Sequence, residues 1–142
     1  MILFIAWLVF IVLAGVSALH FLWASGSTWP VKDPKQFART VAGVDSGKAS
    51  PGMGLTALVA LLILAAAVLP LWVINVISLP LPEWCRLTSM WVLFAVFFLR
   101  GLSSYALPNL PRTQPFKSLD RHYFAPLCLM LAAGYLSIVL NL

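Results

Sequence analysis

Polar residues fall in clusters along this chain, and the stretches between them are almost uninterruptedly apolar. Four such stretches stand out, residues 1–24, 53–79, 86–107 and 124–142. A hydrocarbon layer about 30 Å thick is crossed by roughly 20 apolar residues in a helix, so each stretch is predicted to span a membrane. The stretches lack the alternation of a membrane barrel, and in lipid a helix satisfies its own backbone groups. The predicted fold is all-α: an integral membrane four-helix bundle forming a single domain over residues 1–142.

The segment 25–52 carries signals of a further element. Asp33 suits a helix N-cap, Pro34 the first helical position and Gly43 the exit. Phe37 and Val41 lie four apart on one face, and Lys35 and Arg39 on another. A short interfacial helix over about residues 34–42 is predicted, with Trp29 as an anchor in the headgroup layer. The second span has 27 residues, more than a bilayer needs, and Pro70 is expected to kink it. Small residues (Ala14 and Ala18; Ala57, Ala60 and 65–67; 132–134) offer surfaces for close helix packing.

Composition sharpens the class. With 62% hydrophobic and 9% charged residues, the chain has too little polar surface to coat a water-soluble globule. A formal net charge of +5 would suit a nucleic-acid binder, but the charges sit beside the spans, where Lys and Arg set orientation. No nucleic-acid partner is expected. Lys32, Lys35, Arg39 and Lys48 occupy the first loop and Arg112, Lys117 and Arg121 the third, against Arg86 alone in the second. Loops one and three are therefore expected in the cytoplasm and both termini outside. The first span lacks a basic leader and a small-residue cleavage site, and reads as a retained helix.

An ionisable residue within a span is costly and marks a functional candidate. His20 and Trp23 close span one, Arg100 lies near the end of span three, and Asp120 and Tyr123 open span four. An up-down-up-down bundle brings all three places to one membrane face. His20, Trp23, Arg100, Asp120 and Tyr123 are the predicted ligand-binding residues. Four of them have a plainer reading: a hydrogen bond to a carbonyl on a neighbouring helix for His20, the interfacial aromatic belt for Trp23, snorkelling for Arg100, and for Asp120 an N-cap, a role compatible with pairing to Arg100. Asn75 is expected to make one interhelical hydrogen bond near the opposite face. Cys85 and Cys128 fall at opposite faces, too far apart for a disulfide. No metal or other cofactor is expected, because His20 and His122 have no acidic or thiolate cluster beside them.

Residues 17–26 (SALHFLWASG) with Trp29 and Pro30 resemble a His-x-x-Trp-Ala-x-Gly opening. Residues 116–129 (FKSLDRHYFAPLCL) resemble a Phe-x-x-Leu-Asp-x-x-Tyr-x-Pro-Leu-Cys-Leu closing motif. Both are similar to small bacterial four-span membrane proteins grouped as domain of unknown function 3995, and residues 39–43 and 100–101 fit the same pattern. The chain departs from it at Ala125, where a serine often precedes the proline, and in the proline-rich segment 105–115. The resemblance implies a bacterial inner-membrane location, four spans and no established activity.

Three functions remain open from sequence. The first is binding of a lipid-like or amphipathic molecule, or of a membrane-protein partner, at the polar cluster. The second is an enzyme acting on a lipid-like substrate, with His20 and Asp120 as acid and base. The third is immunity against a membrane-targeting toxin.

Overall fold

A computed structural model of the chain describes residues 1–43, 52–107, 109 and 112–142. The described residues form helices α1 (Ile2–Ala24), α2 (Pro34–Phe37), α3 (Met53–Val73), α4 (Trp84–Ala106), α5 (Phe116–Leu119) and α6 (Ala125–Val139). A π-helical turn, Ala38–Ala42, extends α2; a second, Asp120–Phe124, joins α5 to α6. Four helical stretches are long and apolar enough to cross a membrane: α1, α3, α4 and the continuous run Phe116–Val139. The protein is an all-helical, multi-pass membrane protein.

α1 packs along α3 and α4 along α6; α1 also touches α6, and α3 touches α4, so the four close into a ring. Inside it, Leu13, Leu71, Met90, Leu131 and Tyr135 are buried. Leu3, Leu58, Val96 and Met130 face outward, as a lipid-embedded bundle requires. Ala60, Ala66, Ala67 and Ala132 lie in helix contacts, as their size predicts, whereas Ala18, Ala65 and Ala133 are exposed.

The second span is shorter than its hydropathy: α3 has 21 residues and stops at Val73. Asn75 turns into the left-handed region at φ 61°. Its N–H donates to the carbonyl of Trp72 at 3.0 Å and that of Val76 to Leu71 at 2.9 Å. This paired pattern closes a helix end. Arg86 of α4 adds a hydrogen bond from Nη2 to the Trp72 carbonyl at 2.9 Å and another to Asn75 Oδ1. The expected interhelical bond of Asn75 is present, with Arg86 as its donor.

Pro70 lies in the last turn of α3 and has no N–H, which deprives the Ala66 carbonyl of its helical donor. The Tyr135 hydroxyl of α6 donates to that carbonyl at 2.7 Å. Membrane helices accommodate proline in this way, through a donor from a neighbour. Tyr135→Phe should cost about 1 kcal/mol, the scale of a buried hydrogen bond in a membrane bundle. In a Pro70→Ala background the restored N–H should reduce that cost, which a double-mutant cycle in denaturing detergent reads directly.

The loop helix forms as predicted. Asp33 Oδ1 accepts from the Lys35 N–H at 3.1 Å, and Gly43 exits in the left-handed conformation at φ 66°. Lys48 lies outside the described residues. The fourth helical run begins at Phe116, eight residues before the predicted 124. Asp120 thus lies inside the helical run and is not its N-cap.

Candidate functional site

The two π-helical turns and the ends of α1 and α4 meet at one end of the ring. Thr113 N–H donates to the Gly43 carbonyl at 3.2 Å, tying the loop helix to the segment before α5. Phe116 closes over Gly43 so tightly that a Cβ there would come within 2.6 Å of its ring. The described parts of the first and third loops therefore form one cap over this end of the bundle.

Beneath the cap lies a cavity of about 480 Å³. Leu13, Ile63, Phe97 and Leu131 line it with apolar surface, while His20, Trp23 and Arg100 contribute its polar groups. His20 and Leu13 are seven residues apart on α1, about 10 Å by helical rise. A second cavity of about 300 Å³, bounded by Phe37, Leu55, Thr56 and Val59, shares His20, Trp23 and Val41 with the first. His20 and Trp23 thus stand between two adjoining spaces.

Both side chains are held. His20 Nδ1 lies 2.8 Å from the Val16 carbonyl of its own helix. A carbonyl only accepts, so Nδ1 carries the proton and Nε2 makes no hydrogen bond among the described residues. The bond expected to a neighbouring helix is instead made one turn back along α1. Trp23 packs on His20 with ring centroids 5.0 Å apart and edge-on to Phe37 at 5.7 Å. Its Nε1 donates to the Trp29 carbonyl at 2.8 Å.

Arg100 connects the cavity to a buried ionic cluster. Its Nη2 donates to Asp120 Oδ1 at 2.6 Å and its Nη1 to Ser104 Oγ at 3.2 Å. The Ser104 hydroxyl donates to Asp120 Oδ2, and Arg112 Nη1 reaches the same oxygen and, at 3.1 Å, Ser104 Oγ. The serine hydroxyl therefore gives its one hydrogen and accepts twice, which exhausts its capacity. Asp120 is 1% exposed, and both its oxygens are engaged.

Of the five predicted site residues, the structure brings His20, Trp23 and Arg100 to the cavity and places Asp120 behind Arg100 as its counter-ion. Tyr123 stands apart, 67% exposed and not among the cavity-lining residues. The π-helical turn adds a residue to its loop of backbone and so changes the facing that α spacing from Asp120 would give. Sequence reasoning missed Arg112, read as a loop charge, and the wall residues Phe97, Phe116, Phe124 and Cys128. Ser104, part of the polar stretch that follows Arg100, stands four residues after it on the same helical face.

The model of a protein family described as "Protein of unknown function (DUF3995)" matches residues 13–135, a span that contains the whole cavity lining and the ionic cluster. The chain belongs to this family. No curated protein and no solved structure matches it. As a member of an unknown-function family with four apolar spans, it is a membrane protein whose activity is not established.

Proposed function

We propose that this protein binds an amphipathic, lipid-like molecule in the cavity within its helical ring, with the polar end of the molecule at His20, Trp23 and Arg100. One observation carries the reading. The cavity holds about 480 Å³, within the roughly 300–1,000 Å³ common for small-molecule sites, and pairs apolar walls with a few polar groups near the cap. The acid–base alternative draws less support. Asp120 is committed to Arg100, Arg112 and Ser104 and does not line the cavity, so it is not free to share a substrate atom with His20.

The basic residues of the first and third loops favour placing the cap on the cytoplasmic side of a bacterial inner membrane, with both termini outside. Alkaline phosphatase fused after Leu142 would be active in this orientation and inactive in the reverse one.

The binding reading is tested by extracting protein purified in mild detergent and identifying bound amphiphiles by mass spectrometry. Wild type should carry one near stoichiometric amount, and Cys128→Trp, which fills the cavity from its wall, should lose it while remaining monodisperse and helical. Equal content in the two proteins would refute the assignment.

A further inference from the structure

Charge counting around the cavity narrows the ligand. Two guanidinium groups, Arg100 and Arg112, face one carboxylate, Asp120. The cluster therefore keeps one positive formal charge without a counter-ion among the described residues. The other described acids are elsewhere: Asp33 caps the loop helix, and Glu83 sits with Arg86 at the opposite end. Arg100 and Arg112 keep 38% and 22% of their side-chain surface open, so the surplus charge is accessible to a counter-ion that enters the cavity.

The surplus is placed where a ligand can use it. Arg112 is not among the lining residues, whereas Arg100 is, and its side chain keeps 38% of its surface exposed. A guanidinium has five N–H groups; Arg100 commits one to Ser104 and one to Asp120, and the others have no hydrogen-bond partner among the described residues. Its planar fork suits carboxylate and phosphate oxygens. Asp120 holds that fork at the rim, so the group is oriented before any ligand arrives.

Volume limits the other end of the ligand. If a methylene takes up about as much room as a water molecule, about 30 Å³, the cavity accepts about sixteen such groups. One long hydrocarbon chain fills this space, and a second would have to lie outside it.

Resting on the binding reading above, we infer that the cavity takes a single-chain amphiphile with an anionic head, its head oxygens on Arg100 and its chain running inward past Phe97 toward Leu13 and Leu131. The second space beside His20 and Trp23 leaves room for the rest of a larger head group.

Native mass spectrometry of the full-length protein in neutral detergent tests this with four probes. These are palmitate, palmitoyl lysophosphatidate, palmitoyl lysophosphatidylcholine and dipalmitoyl phosphatidate. Palmitate and lysophosphatidate should form one-to-one adducts about tenfold or more tighter than lysophosphatidylcholine, the factor that a charge-assisted hydrogen bond supplies. They should also outcompete the two-chain phosphatidate. Arg100→Gln leaves Asp120 paired with Arg112 and should abolish the preference for the anionic head. If that variant does not fold, the ranking of the four probes on wild type decides alone. Equal binding of anionic and zwitterionic single chains overturns the anionic head, and equal binding of phosphatidate overturns the single chain; either leaves the binding reading intact. No adduct with any of the four, together with no copurifying amphiphile, overturns both.

Discussion

Asp120→Ala is expected to destabilise the protein by about 3 kcal/mol, the lower end of what removing one partner from a buried ion pair costs. The carboxylate is 1% exposed and joins three segments: Arg100 and Ser104 from α4, Arg112 from the third loop, and the π-helical turn to which it belongs. Without it, two guanidinium groups share the Ser104 oxygen as like charges. The lower end of the range applies because both arginines retain partial exposure and their long stems let them reach toward water.

The arginine variants should behave differently. Arg112→Gln leaves Asp120 with Arg100, and Arg100→Gln leaves it with Arg112, so each should cost about 1.5–2 kcal/mol, the low end for a hydrogen bond to a charged group. The double variant strands a buried carboxylate and should cost more than the sum of the two. Unfolding in denaturing detergent, followed by helicity, measures all four proteins. If Asp120→Ala were no worse than Arg112→Gln, the carboxylate would not be what organises the cluster.

That asymmetry bears on what could be read from the sequence. Span number, the loop helix and the convergence of Arg100 and Asp120 were legible because each follows from local rules: apolar length, capping chemistry, and the cost of a charge in lipid. The end of α3 was not, because residues 74, 76, 77 and 79 remain apolar after the helix has stopped. Hydropathy registers lipid compatibility, not backbone geometry. Asn75 held the signal, as the non-glycine residue that tolerates a left-handed turn, but inside an apolar run it reads as a lone polar group. The start of the fourth helix misled for the opposite reason. Lys117, Asp120, Arg121 and His122 lower its hydropathy, yet the helix persists through them, with Asp120 satisfied by groups from α4 and the third loop. Arg112 was illegible because pairing it with Asp120 depends on how the third loop folds back, which spacing along the chain does not encode.

Gly101 supplies the second large effect, through packing. It is buried in α4, next to Arg100. A Cβ built there would lie 2.7 Å from Leu129 Cγ and 3.0 Å from the Ala125 carbonyl oxygen. Leu129 has rotamers with which to yield, but the carbonyl is backbone and yields only if α4 moves away from α6. Gly101→Ala should therefore be near neutral or mildly destabilising, since about 1 kcal/mol of helix propensity offsets an overpacking cost of about 1–3 kcal/mol. Gly101→Leu has the larger clash and should lose about 3 kcal/mol. Gly15 of α1 is the control: a Cβ there meets nothing within 4 Å, so Gly15→Ala should stabilise by up to about 1 kcal/mol. The same substitution on two helices thus carries different expected signs, which detergent unfolding resolves. Separation of α4 from α6 would also draw Arg100 off Asp120, so Gly101→Leu should weaken any preference for anionic heads, even though Gly101 does not line the cavity. A Gly101→Leu protein as stable as wild type would mean that α4 and α6 are not held at the close approach on which the cluster and the cavity rim depend.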